Sequence, residues 1–407
     1  MIQYQSLNNS LISGSPVFPI IDLGLHGFAD TFYPKNLSTI ASRTAPLICC
    51  LDKGTGLVQL QNVTVAEERY NLIDYSYTSS NSQVSRRHWQ EFFQSVSRKI
   101  PIKHGRILEI GSNDGYLLSL FKKGATQIIG IDASETVVLE ANSRGIETIH
   151  GIFGESDELN ITLKEKISEF DLIIANNVLN HSNNPLKFIK DISCFLKRDG
   201  IFVFEVPYWY STISSFRFDQ IYLEHITYFT VESLEHFLKT AGLFIYEVEL
   251  VDYHGGSLRV HAGFSDRFSK SKDDFLALER KIGLKDENTY IVYMNKVNEI
   301  KNRFILNLNQ YKKAKPFSKI FGVGAAAKAN TLLTYFGLTN QDIHFIIDAS
   351  PLKQGKITPV SLIPIEKDEI ISDLSSGLGI VLAWNLNIQL KKKLIEINKN
   401  IEFLDIL

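Results

Sequence analysis

The stretch Leu108 to Leu118, LEIGSNDGYLL, sets an acid, two glycines and short polar side chains into an E-x-G-x-N-x-G turn between an apolar run and a helical one. A turn of this kind, between a strand and a helix, lets the backbone approach a nucleoside cofactor closely. In the following IIGIDAS, Asp132 ends the apolar run about twenty residues after Gly111, where an acid meets ribose hydroxyls. Glu109, Gly111, Asn113, Asp114, Gly115, Asp132 and Ala133 are therefore candidate cofactor contacts. The turn lacks the third glycine that helps seat a pyrophosphate.

A second set of residues suits proton transfer. YLEHITYF gathers Tyr222, Glu224 and His225, and histidine changes charge closest to neutral pH. His181 closes ANNVLNH, beyond a run that reads as the fourth strand, so it should face the crevice at the strand ends with Asn176 and Asn177. DYSYTSS supplies the hydroxyls of Tyr75, Tyr77, Ser79 and Ser80, suited to an oxyanion or a phosphate. Lys328 in GAAAK and the loop SPLKQGK follow strand ends and are candidate diphosphate contacts. Arg86, Arg87 and His88 read as a solvated helix face, with a diphosphate contact as the alternative.

The elements that must hold these groups alternate from Ile107 onward. Strands at 107–110, 127–131, 147–150, 171–175 and 201–206 are separated by helices from Tyr116, from Glu135 and over 185–197. That alternation predicts an α/β fold with a parallel sheet covered by helices on both faces. After a helix over 231–240, the runs Leu243 to Val251 and Ser257 to Phe264 flank Gly255 and Gly256 and predict an antiparallel edge hairpin. Residues 266–315 read as connecting helices, and KIFGVGAAAKANTLL followed by IHFIIDASP starts a second strand, turn and helix unit. The first hundred residues look irregular and appended, apart from a strand-like GLVQLQNVTV over 56–65.

Composition narrows the classes. The 407 residues are 44% hydrophobic and carry a net charge of -2 without long single-sign runs, so neither a nucleic-acid groove nor a membrane surface is expected. Three cysteines, Cys49, Cys50 and Cys194, cannot build a disulfide framework or a four-thiolate zinc site. No basic segment followed by an apolar core opens the chain, and no apolar run approaches the ~20 residues of a membrane helix. A cytoplasmic protein is expected, with its oligomeric state open and a monomer compatible with the sequence.

The Gly-rich turn and the hairpin ending resemble the class I S-adenosylmethionine (SAM) methyltransferases. Ten segments together resemble a narrower family, the SAM-dependent C-methyltransferases of nucleotide-linked 4-keto-6-deoxysugars. They are DLGLHGFADTF, GLVQL, DYSYTSSNS, LEIGSNDGYLL, ANNVLNH, FEVPY, FDQIYLEHITYFT, HGGSLRV, GVGAAAKANTLL and IDASPLKQGK, in the family's order from about residue 20 to 360. The resemblance implies three parts: an N-terminal substrate-binding module over 1–85, a SAM domain over 86–265, and a connector with a C-terminal Rossmann-like nucleotide-sugar domain over 266–407. It implies methylation at C3 of the sugar, with dTDP as the favoured nucleotide. It also places Tyr222, Glu224 and His225 on active-site positions, His225 as the base, while Glu224 either orients the imidazole or contacts the sugar. His181 either stabilises the enolate or acts as a second acid.

One departure is plain. The family carries a four-cysteine zinc site in the N-terminal module, but Asp52 and Thr55 stand at the spacing of the pair before GLVQL, and no cysteine precedes Cys49. No zinc is expected, and hydrophobic packing should hold the module instead. Three other readings remain: O-methylation of a sugar or small molecule, an NAD-dependent oxidoreductase using GVGAAAK, and a non-catalytic protein that binds SAM or a nucleotide-sugar.

Overall fold

The computed structural model describes residues 1–71, 80, 82–100 and 105–406. Its centre is a seven-stranded sheet in the order Phe244–Val251, Ser257–Gly263, Leu196–Pro207, Phe170–Asn176, Arg106–Ile110, Gln127–Asp132, Thr148–His150. Ser257–Gly263 runs antiparallel to both of its neighbours, and the other pairings are parallel. Helices cover both faces, which is why Ile107, Leu108, Ile110, Ile129, Ile131, Ile173 and Ile174 are all buried rather than alternating with exposed residues. Chain order reverses between Arg106–Ile110 and Phe170–Asn176, and at such a switch point a crevice opens beyond the carboxyl ends of the strands. Leu196–Pro207 begins five residues earlier than the sequence predicts, taking over the end of the expected helix, which stops at Phe195.

A five-stranded parallel sheet, ordered Ile365–Glu366, Phe345–Ile347, Lys319–Val323, Gly377–Val381, Ile401–Leu404, forms the second α/β unit. The long helix Glu287–Ala314 leads into it. Among the described residues, no helix is long and apolar enough to cross a membrane.

The N-terminal segment is neither irregular nor separate. Phe18–His26, Ala45–Leu51 and Val58–Leu60 form an antiparallel sheet whose fourth strand, Thr227–Tyr228, comes from far along the chain. The expected single strand over 56–65 breaks at Gln61, so that Asn62–Thr64 pairs instead with Tyr4–Ser6. One hydrophobic core joins Ile21, Leu47 and Val58 to Tyr290, Val297 and Phe304 of the long helix and to Leu332 and Ile346 of the second unit.

At the vacated cysteine positions, packing is not the whole answer. The Asp52 carboxylate is buried and accepts hydrogen bonds from Ser13 Oγ (2.7 Å), Thr55 Oγ1 (2.8 Å) and Gly54 N (2.9 Å). Burial disfavours its charge, but the hydrogen bonds from Ser13, Ser10 and Thr55 outweigh burial and hold the acid below the usual aspartate range. This polar knot ties residues 10–13 to the turn at 52–56.

Candidate active site

A cleft of about 1730 Å³, counting its open mouth, lies beyond the carboxyl ends of the central strands. One end is the Gly-rich turn. Gly111 has φ 69° and a Cβ there would lie 2.2 Å from Val178, so a side chain at this position would both strain the backbone and fill the cleft wall. Asp132 accepts from Asn113 N through one oxygen and from Ser134 N through the other, both at 2.9 Å, which fixes the carboxylate at the lip of the cleft. Burial raises its pKa.

Glu109 is pushed well above the usual carboxylate range by burial and then by the charges of Asp114 and Asp132. Its Oε2 and both polar atoms of the Asn176 side chain are buried with no hydrogen-bond partner among the described residues. Groups so left are open to polar atoms of a ligand, and together with the Gly111 cradle they fit a nucleoside cofactor such as SAM. Asn113, Ala133, Asn176 and Asn177 line the same space. Asp114 does not: it turns away to pair with Arg144 at 3.0 Å and to accept from the Ser80 hydroxyl. Gly115 packs against Ile146 and shapes the turn without lining the cleft.

The other end brings His181, Tyr222, Glu224 and His225 together. A tight turn, closed by His225 N donating to Tyr222 O at 3.0 Å, folds the Tyr222 ring over the imidazole, with Tyr222 Oη and His225 Nε2 2.5 Å apart. His181 meets His225 edge-on at 4.9 Å between ring centres. The Nδ1 atoms of both histidines have no partner among the described residues. Burial, followed by the neighbouring His181 and His254, keeps the His225 pKa well below its usual value. His181 falls to about 3, through burial and then the Arg69 charge. Both rings are neutral at pH 7. Glu224 accepts from Asp30 N at 2.9 Å through Oε1, its Oε2 has no partner among the described residues, and burial raises its pKa to about 7.

Lys328 reaches the cleft from the second α/β unit, donating to His254 O at 3.2 Å, and burial lowers its pKa to about 8. Tyr75, Tyr77 and Ser79 lie outside the described residues. His88 is not on a solvated face: it is buried, with Nε2 2.7 Å from Glu205, whose other oxygen pairs with Arg259. Arg86 and Arg87 are exposed. The sequence reading did not single out Asp30, Arg69, Gln220 and His254, which also line the cleft. The signal available for three of them was membership of the segments DLGLHGFADTF, FDQIYLEHITYFT and HGGSLRV.

Residues 81–248 match the methyltransferase domain family and residues 252–403 the C-methyltransferase C-terminal domain family. The C-methyltransferase NovU of Streptomyces niveus is 30% identical over 315 residues, covering 76% of this chain and 74% of that protein. A tRNA U34 carboxymethyltransferase of Saccharophagus degradans is 28% identical over 109 residues, 26% of this chain and 33% of that protein. Among solved structures, the PH0226 protein of Pyrococcus horikoshii is similar with a TM-score of 0.38 at 18% identity, covering 48% of this chain and 98% of that one.

Proposed function

Because this chain belongs to the family of SAM-dependent C-methyltransferases, we propose that its acceptor is C3 of a nucleotide-linked 4-keto-6-deoxysugar, with dTDP the first nucleotide to test. The observation that carries this reading is the juxtaposition, in one cleft, of the unpartnered cofactor-side groups of Glu109 and Asn176 with the cluster His181, Tyr222, Glu224 and His225. When bound, SAM supplies an electrophilic methyl group.

The chain's own residues handle the proton. A ketone acidifies the neighbouring C–H, and a neutral imidazole can take that proton without first losing one. We assign His225 the tautomer whose Nε2–H donates to Tyr222 Oη; its lone pair is then on Nδ1, which accepts the C3 proton as the electron pair moves onto the carbonyl oxygen. The burial that keeps His225 neutral also makes it a weak base. The enolate must therefore be stabilised by donors, a role open to the Tyr222 hydroxyl, to His181 and to the protonated form of Glu224. Lys328, with Tyr75, Tyr77 and Ser79, belongs to the sugar and diphosphate side of this proposal, whereas the Ser80 hydroxyl, expected there too, is held by Asp114 away from the cleft; the three-part division at residues 85 and 265 goes with the proposal.

The test is a pair of substrates that differ only at C4. With labelled SAM, the 4-keto nucleotide-sugar should be methylated and its 4-hydroxy counterpart left unchanged. Methylation of the 4-hydroxy compound would replace carbon with oxygen as the acceptor.

A further inference from the structure

One carboxyl group in the cleft has no part in the reading above. Asp30 sits in the loop over 27–32 of the N-terminal segment and lines the cleft beside Tyr222 and Glu224. The loop is fastened from two sides. Its Asp30 N–H donates to Glu224 Oε1 at 2.9 Å, and Ala29 O accepts from the buried Asn330 of the second unit at 2.6 Å. Phe28, Ala29 and Phe32 are buried around it. Lys353, the cation facing Asp30, spends its ammonium on Ala325 O at 2.7 Å, over the Phe32 ring, and no ion pair of Asp30 occurs among the described residues.

We propose that Asp30 and Glu224 act together as two neighbouring carboxyl groups of the cleft, which between them present an acceptor and a donor to a hydroxyl-bearing sugar ring. Resting on the proposed sugar substrate, this assigns to the N-terminal segment a specificity residue in the reaction cleft. Two carboxylates in one poorly hydrated site cannot both ionise freely, and such a pair titrates as a unit. Burial and then the lysine at 353 act on Asp30 in opposite directions, and Asp30 adds to the rise of Glu224. Two cations line the same cleft: Arg69, whose guanidinium donates to Thr64 O, His181 O and Asn183 Oδ1, and Lys328, which donates to His254 O. Tyr222, Tyr33 and Tyr228 are phenols held above their usual pKa, and the His181 and His225 rings are neutral at pH 7.

Asp30→Asn keeps the shape and the backbone N–H to Glu224 but removes the charge. In glutamate-labelled protein, with the Glu224 signal identified by its loss in Glu224→Gln, carboxyl NMR should show the Glu224 midpoint moving down by about one pH unit in Asp30→Asn. The same variant should raise KM for a dTDP-4-keto-6-deoxysugar about tenfold or more while SAM affinity by calorimetry stays unchanged. Asp30→Ser, which also keeps the backbone donor, should show the same shift. An unmoved Glu224 midpoint overturns the pair whatever the substrate proves to be, and loss of SAM binding in both variants would make Asp30 a structural residue only. A wild-type enzyme with the expected midpoint shift but no turnover of any 4-keto nucleotide-sugar would leave the pair standing and refute the sugar assignment.

Discussion

Asp52→Ala should loosen the N-terminal sheet specifically. The substitution strips an acceptor from Ser13 Oγ, Thr55 Oγ1 and Gly54 N, at 2.7, 2.8 and 2.9 Å. Hydrogen bonds to a charged group contribute about 1.5–3 kcal/mol each, but Ser13 and Gly54 are exposed and recover water, so a total near 3 kcal/mol is expected. At about 1.4 kcal/mol per factor of ten, amide exchange in Ala45–Leu51 and Val58–Leu60 should quicken roughly a hundredfold, with little change in the central sheet. Hydrogen exchange by mass spectrometry reads both. The sign with pH is fixed: the folded-state pKa of Asp52 is lowered, so its stabilisation is present above the unfolded value of about 3.9 and is lost as pH falls through the folded value. The gap between wild type and variant should therefore close in acid. A change in exchange below about threefold at neutral pH would refute the view that this knot holds the N-terminal sheet together.

Asp132→Ala should weaken SAM binding by roughly ten- to a hundredfold in calorimetry, since hydrogen bonds to a charged partner contribute about 1.5–3 kcal/mol; unchanged affinity would displace the cofactor from the Gly-rich turn. His225→Ala should lower methylation about 10²- to 10⁴-fold and slow exchange of the C3 hydrogen with deuterated water, with SAM affinity nearly unchanged; normal methylation would shift the base to His181 or a tyrosine. Elemental analysis of the purified protein should find no stoichiometric zinc, because a structural site needs four suitable ligands and the thiolate positions hold Asp52 and Thr55.

The central sheet was legible because both of its faces are covered: strands such as Phe170–Asn176 carry a continuous apolar stretch, Leu172 to Ala175, and Gly255 and Gly256 mark the hairpin. The N-terminal sheet was not, because its fourth strand is two residues, Thr227–Tyr228, whose pairing with Val58 and Gln59 leaves no local pattern. In the cleft, the Gly-rich turn and the histidines announce themselves by residue type and spacing. Asp114 misleads for the same reason: its spacing suits the turn, but Arg144 and Ser80 draw its carboxylate away from the cleft. Long-range partners hid the rest. His88 looks like any polar residue on a helix until Glu205 is placed beside it, and Asp30 gains meaning only when its loop meets Glu224.

The claim that matters most is that the methyl group ends on carbon beside a ketone. Reaction of ¹³C-methyl-SAM with a dTDP-4-keto-6-deoxysugar, followed by two-dimensional NMR of the product, reads this directly. The labelled methyl should correlate with a C3 that has lost its hydrogen, in a product that keeps the sugar's hydroxyl oxygens unmodified. A labelled methyl with the shift of a methoxy group, coupled through oxygen to the ring, would contradict it.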